Sequence, residues 1–112
     1  MKVVGYAGSR SAFSKSICLG EKLKTMLREK NIEMELYTAR NNVVEECRGC
    51  GKCFDEGLCP QDQEDSMEYI RKKILEADLI VLLSPVYLNN VSGAMKTFLD
   101  RRFHLFYTYE SM

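Results

Sequence analysis

A chain of 112 residues suits one small domain, and its 46% hydrophobic and 29% charged residues are those of an ordinary globular protein with a modest core. Sixteen basic residues balance sixteen acidic ones, so the formal net charge of zero leaves no electrostatic footprint for nucleic acid. No apolar run approaches the roughly 20 residues of a membrane helix, and the start MKVVGYAGS lacks a secretory architecture, so a mature N-terminus and a cytoplasmic location are the expectation.

Residues 2–7 (KVVGYA) form a short apolar run closed by Gly8, the pattern of a buried strand. GSRSAFSKS follows, rich in Ser and free of acids. A helix is predicted from Ser14–Ser16, with Leu19, Leu23, Met26 and Leu27 at helical spacing as far as the polar segment REKN. Residues 33–37 (EMELY) alternate apolar and polar and predict a second strand. Residues 41–63 have no sustained period and hold four of the five cysteines. An excursion of this length in a compact domain is usually functional or disordered.

A second helix is predicted from Asp65 or Ser66, with Asp65 and Glu68 as a capping pair and Ile70, Ile74 and Leu75 on its apolar side. Its basic run Arg71-Lys72-Lys73 reads as a solvated face. Residues 79–84 (LIVLLS) are continuously apolar, which suits a strand covered on both faces. SPVYLNNVSG reads as a loop, and residues 94–102 return to a helical pattern. The order strand, helix, strand, excursion, helix, strand, helix predicts an α/β fold with a parallel sheet and right-handed crossovers. No repeat, low-complexity tract or linker divides the chain, so residues 1–112 are expected to form one domain with a cysteine-rich loop at about 41–63.

In doubly wound sheets, ligands bind at the carboxyl ends of the strands. GSRSAFSKS stands at such an end and leads into a helix, whose free N–H groups and positive pole favour an anion. Ser9, Ser11, Ser14 and Ser16 offer hydroxyl donors, and Arg10 or Lys15 offers charge. The spacing is neither GxGxxG nor a Walker loop. A flavin mononucleotide phosphate suits a hydroxyl-rich loop of this kind; a Ser-rich helix cap without a ligand is the plainer reading.

The remaining motif is Cys47-x2-Cys50-x2-Cys53-x5-Cys59, with Pro60 next. Tight CxxCxxC runs suit cubane clusters, a longer spacer brings the fourth thiolate round, and Pro after the last Cys is common in ferredoxin runs. Structural zinc usually uses paired CxxC units further apart. A reducing cytoplasm argues against a disulfide. Thiols without metal, from ligand or cluster loss, complete the set of readings. Cys18 is expected to be a buried or half-buried free thiol, and His104, within the aromatic tail FHLFYTY, to have a packing or surface role.

GSRSAFSKS, CRGCGKCFDEGLC and EADLIVLLSPVYLNNVSGAMKTFLDR, in that order, resemble the NADPH-dependent FMN reductase and flavodoxin-like group, and within it most nearly the iron–sulfur flavoproteins. The resemblance runs over essentially the whole chain to Arg102. It implies a flavodoxin-like doubly wound parallel sheet, of which only the first three strands, in order 2-1-3, are evident. It implies non-covalent FMN, with Ser9, Arg10, Ser11, Ser14 and Ser16 at the phosphate. It places Pro85, Val86, Tyr87, Leu88, Asn89, Asn90, Ser92 and Gly93 at the ring and ribityl chain. Pro85 and Tyr87 would shape the floor beneath the isoalloxazine, and the N–H groups of residues 88–90 would meet its polar edge. For Tyr87 alone, a half-buried core aromatic is the plainer reading. The resemblance also implies a [4Fe–4S] ligand set of Cys47, Cys50, Cys53 and Cys59, although many relatives keep FMN alone. Lys96, Asp100 and Arg101 read as a helix-surface or subunit-contact pattern.

The implied function is electron transfer through FMN and a [4Fe–4S] cluster, with NAD(P)H as a possible donor and a redox protein or small molecule as acceptor. No residue stands out as a catalytic acid or base. An FMN-only NAD(P)H-dependent reductase, a half-flavodoxin subunit docking on a partner, and a zinc-stapled structural domain are the alternatives. A flavodoxin-like sheet has five strands and three are legible, which leaves LIVLL at an edge and FHLFYTYESM aromatic in water. Truncation, completion by a second chain, or sealing of the edge by the tail would each account for this. Obligate association, as a homo-oligomer or with a completing chain, is the expectation, and it predicts a dilute-solution mass above 12.9 kDa by light scattering.

Overall fold

Five apolar or small residues, Val3, Val4, Gly5, Tyr6 and Ala7, lie buried in the first strand, β1 (Lys2–Ala7), and they make it the middle of the sheet. The structure, a computed structural model, describes residues 1–101. After β1 come α1 (Lys15–Glu29) and β2 (Glu33–Thr38). The cysteine excursion contains a short helix, α2 (Lys52–Glu56), and a 3₁₀ turn at Pro60–Gln63. Then follow α3 (Met67–Glu76), β3 (Leu79–Leu83), the small strands β4 (Val86–Tyr87) and β5 (Asn90–Val91), and α4 (Gly93–Arg101).

β1 pairs in parallel with β2, from Lys2 opposite Glu33 to Ala7 opposite Thr38, and with β3, from Val3 opposite Leu79 to Ala7 opposite Leu83. The order β2-β1-β3 is the 2-1-3 arrangement expected of a flavodoxin-like sheet. All three carboxyl ends therefore point the same way, and the loops that follow them gather at one end.

The helices divide between the faces. Val4 and Tyr6 of β1 pack with Met67, Ile70 and Ile74 of α3 and Met95 and Phe98 of α4. Tyr6 stacks on Phe98 with ring centroids 4.0 Å apart. The alternate residues face α1, where buried Gly20 lets the helix settle: a Cβ there would lie 2.9 Å from Leu36 Cδ2 and 3.0 Å from Leu83 Cδ1. Ser14 caps α1, its Oγ accepting from Ile17 N–H at 3.2 Å.

Several expectations are corrected. β3 is not covered on both faces: Leu79, Ile80 and Leu82 are 51%, 42% and 43% exposed, because β3 pairs only with β1 among the described residues. The apolar pattern of α1 is wider than its buried stripe, so Leu19 and Met26 face outward, and Cys18 is exposed rather than buried. Asp65 does cap α3, accepting from Met67 N–H at 3.0 Å, but Ser66 is the N-cap residue and Glu68 pairs with Lys72 instead of closing a capping box. The segment read as a loop after β3 is partly a hairpin, with Leu88 (φ 50°) and Asn89 (φ 62°) both left-handed, as a tight primed turn requires. Among the described residues no helix is long and apolar enough to cross a membrane. The aromatic tail with His104, and any sealing of the β3 edge by it, lie outside the described residues.

Candidate cofactor site

The site begins at a close seam between the end of β1 and the start of α4. Ser92 is buried, and its Oγ donates to the Gly8 carbonyl at 2.6 Å while accepting from Met95 N–H at 3.1 Å. Its own N–H donates to Ser84 Oγ at 3.0 Å. Gly8 N–H donates to the Leu83 carbonyl at 2.8 Å. A Cβ on Gly8 would stand 2.6 Å from Met95 Cβ and 2.9 Å from its N and Cα, so only glycine permits this approach. The hydroxyl-rich loop and the SPVYLNN loop are thereby locked into one unit.

Over the seam lies a cavity of about 390 Å³. Ser9, Arg10, Ser11, Tyr87, Ser92 and Gly93 line it, joined by Gly8, Glu46, Ala94 and Thr97, which the motif reading had not singled out. Ser9 Oγ accepts from Ser11 N–H at 3.3 Å and Ser11 Oγ from Phe13 N–H at 3.2 Å, so each hydroxyl keeps its proton to donate. Burial pushes the Tyr6 hydroxyl up to about 12 against the opposing pull of the Arg10 guanidinium. Ser14 and Ser16, in and beside the cap of α1, do not line the cavity. Nor do half-buried Pro85 or the exposed Val86, Leu88, Asn89 and Asn90 of the hairpin segment, where Leu88 is fully exposed. Ser92 uses its hydroxyl within the protein, as cap and seam.

The cysteine loop forms a second cavity of about 360 Å³, lined by Cys47, Cys53 and Cys59 together with Phe54, Asp100 and Arg101. All five thiols are unpaired. Gly49 (φ 71°), Gly51 (φ 74°) and Gly57 (φ 68°) take left-handed conformations that let the run turn this tightly. Burial above all pushes the Cys53 thiol up, against a backbone hydrogen bond that lowers it, and the sulfurs of Cys59, Cys47 and Cys50 add to the rise. Cys50 is exposed and does not line the cavity. Among the described residues no three His, Cys, Asp or Glu side chains converge on a single metal ion. Zinc would hold every thiolate at about 2.3 Å from one centre, whereas a cubane gives each thiolate its own iron and accepts a wider set. In type and number the donors fit such a cluster, which would require the exposed Cys50 to turn toward the other three thiols.

Beneath the sulfurs lies a buried ionic hub. Arg101 Nη1 donates to the Glu45 carbonyl at 3.0 Å and to Asp65 Oδ2 at 2.6 Å, and Nη2 to Asp62 Oδ1 at 3.0 Å. Arg71 pairs with Asp62 through Nη1 and donates from Nη2 to the Arg101 carbonyl at 2.8 Å. Asp65 also accepts from Glu45 N–H at 2.9 Å. Burial alone would raise the Asp65 carboxyl, but the Arg101 hydrogen bond and the Glu45 and Met67 N–H groups hold it below the usual range. Burial alone would likewise lower Arg101, and Asp65 and Asp62 hold it up instead. This corrects two readings: neither Arg71 nor Arg101 is a surface cation, because Arg101 satisfies Asp62, Asp65 and the Glu45 carbonyl, and Arg71 satisfies Asp62 and the Arg101 carbonyl. Lys96 remains a surface residue, paired with Asp100 at 2.5 Å.

A family model described as NADPH-dependent FMN reductase matches residues 1–110. The chain belongs to the NADPH-dependent FMN reductase family. Among the relatives of this family member, an iron–sulfur flavoprotein of Methanocaldococcus jannaschii is 37% identical over 101 residues, covering 90% of this chain and 51% of that protein. An iron–sulfur flavoprotein of Archaeoglobus fulgidus is 34% identical over 101 residues, covering 90% and 45%. The chain thus spans about half the length of the curated relatives it matches. The crystal structure of RosB with a bound 8-demethyl-8-formylriboflavin-5'-phosphate intermediate superposes with a TM-score of 0.69 at 20% identity, covering 90% of this chain and 41% of that one. That likeness supports the flavodoxin-like fold of this FMN reductase family member.

Proposed function

We propose that this chain is the FMN- and cluster-binding half of a redox protein. The observation that carries the proposal is the adjacency of the two cavities. Glu46 walls the first and Cys47 the second, and α4 supplies Thr97 to the first and Asp100 and Arg101 to the second. Two redox groups seated there would be neighbours without any rearrangement of the fold.

When bound, FMN supplies a carrier for two electrons and a [4Fe–4S] cluster supplies single-electron steps. The chain's own residues bind and orient. Ser9 and Ser11 donate hydroxyl protons and Arg10 donates charge to the phosphate, with Ser14 and Ser16 shaping the helix start beside it. Tyr87 and Gly93 would border the ring, and Pro85, Val86, Leu88, Asn89 and Asn90, in the exposed hairpin segment beside the cavity, would meet it only by closing over it. Cys47, Cys50, Cys53 and Cys59 hold the cluster. NAD(P)H is the proposed donor, and a redox protein or small molecule the acceptor, in a reducing compartment such as the cytoplasm.

Residues 1–112 would belong to one flavodoxin-like domain. Its β3 edge, unpaired on the outer side among the described residues and with Leu79, Ile80 and Leu82 exposed, supports completion of the sheet by a further strand from a second chain. A dilute-solution mass above 12.9 kDa is expected, and a clean folded monomer contradicts it.

The test is the absorption spectrum of anaerobically purified protein before and after dithionite. Flavin bands over a broad brown shoulder that bleaches establish both groups. Flavin bands alone leave an FMN-only reductase, and a colourless protein defeats the proposal for the chain acting unaided.

A further inference from the structure

The chain on either side of Cys47 is held by one buried amide. Gln61, in the 3₁₀ turn just beyond Cys59, is 3% exposed. Its Nε2 donates to the Glu46 carbonyl at 2.8 Å, and its Oε1 accepts from Arg48 N–H at 3.0 Å. Both backbone groups lie in a stretch, residues 43–51, that belongs to no helix or strand. A buried side-chain amide is costly unless its donor and acceptor are used, and here both are used on the two residues that flank Cys47. Glu45, one step earlier, is fixed in the same manner: its N–H donates to Asp65 and its carbonyl accepts from Arg101. The stretch is thus ordered by side chains from the turn and helices around it. Its consecutive residues Glu46 and Cys47 line different cavities, the first the flavin cavity and the second the cysteine cavity. Gln61, Glu46 and Arg10 also line a further cavity of about 610 Å³, and Arg10 and Glu46 are the residues it shares with the flavin cavity. Gln61 therefore meets the flavin cavity at one remove, through the backbone of Glu46.

We propose that Gln61 is a positioning residue of the flavin cavity: its amide sets the wall at Glu46, and through the same clamp FMN binding is felt on the far side of Cys47. The proposal rests on the reading of that cavity as the FMN site and requires no metal at the sulfurs. A ligand seated against Glu46 further restrains a stretch that Gln61 already orders. The restraint passes to Arg48 by way of the amide, with no change of fold.

The experiment is amide hydrogen exchange of the whole chain, read residue by residue by NMR with and without saturating FMN, beside an FMN titration followed by flavin fluorescence. In the unsubstituted chain Arg48 N–H should exchange slowly although Arg48 is exposed, and FMN should slow it further by about fivefold or more. Gln61→Leu removes both bonds, so Arg48 N–H should lose its protection and the FMN dissociation constant should rise about tenfold. Gln61→Glu keeps an acceptor for Arg48 N–H and loses the donor to the Glu46 carbonyl. Its Arg48 N–H should stay protected, but the response to FMN should vanish and FMN should bind more weakly. Glu64→Ala removes only the exposed ion pair between Arg48 and Glu64, which ties the same two stretches, and it should move neither reading. FMN that binds the unsubstituted chain and leaves Arg48 exchange unchanged overturns the proposal while the FMN reading stands, and this arm needs no variant to fold. So does Gln61→Glu binding FMN as tightly as the parent, or an equal loss in Glu64→Ala, which would mark the effect as general fastening of the loop. Failure of the unsubstituted chain to bind FMN overturns the reading of the cavity and the proposal with it.

Discussion

The seam at Gly8 and Ser92 and the hub at Arg101 both hold irregular chain against the sheet, by opposite means. At the seam a missing side chain and one neutral hydroxyl bring β1 and α4 together. At the hub four charges are taken out of water to fasten the cysteine excursion to α3 and α4. A neutral junction of small groups tolerates the loss of one bond, whereas a buried ionic junction becomes a liability when one partner is removed. The flavin side should therefore be the sturdier half of the site, and the cysteine side the half most sensitive to single changes.

The sharpest way to break this contrast is Asp65→Ala. It strips Arg101 of its closest partner and the Glu45 and Met67 N–H groups of theirs. A loss of about 3–5 kcal/mol is expected by urea unfolding, since an uncompensated charge remains buried. The same carboxyl sets an acid dependence. Its folded value is depressed below the unfolded value of about 3.9, so its contribution is complete above that pH and is lost as pH falls through the lower folded value. Asp65→Asn should flatten that part of the decline in urea midpoint between pH 5 and the acid limit, while a slope identical to the parent would assign it elsewhere.

Gly8→Ala comes next. The new methyl meets Met95 backbone atoms, which cannot swing aside, and about 1–3 kcal/mol of destabilisation is expected. Weaker flavin retention should accompany it, read by fluorescence of FMN released on dialysis. Ser92→Ala removes the α4 cap and the bond to Gly8, for about 1–2 kcal/mol in the same unfolding assay. Smallest is Ser14→Ala, which removes only the cap of α1, for about 1 kcal/mol by thermal unfolding. If Ser92→Ala proved more damaging than Asp65→Ala, the ranking of neutral seam and ionic hub would be reversed.

The sequence carried the seam more openly than the hub. Apolar runs give away β1 and β3, alternation gives away β2, and the Ser-rich stretch before α1 announces a capped helix at a strand end, so a parallel α/β sheet and the positions of both loops were legible, while the order 2-1-3 came with the family resemblance. The resemblance to the FMN reductase family, carried by the same motifs, is shown by the family match over residues 1–110. The hub was illegible because charge patterning treats Arg71 and Arg101 as solvent-facing, while their partners lie 9 and 36 or more residues away in sequence. The reading of LIVLL as doubly covered failed for a related reason: an apolar run reports what a strand could bury, not which neighbours are present to bury it. Glu46 lies outside every motif and Thr97 was not singled out within the last one, and only the folding together of the excursion and α4 brings them to the cavity. The basic run on α3 offered one usable signal, an Arg directly following buried Ile70, placed on the inner side of the helix.

The register of α4 has a further consequence. Thr97 borders one cavity and Arg101 the other, four residues later on the same helix. At 1.5 Å rise per residue the helix sets an axial offset of about 6 Å between them. It also sets their phase. Inserting a single residue between Thr97 and Asp100 would rotate the cysteine-side pair by about 100° and swing the Arg101 guanidinium away from Asp62 and Asp65, while leaving the Ser92 cap and the seam in place. The helix is thus both ruler and protractor for the two cavities, and its length between those positions is a constraint as strict as the identity of any residue on it.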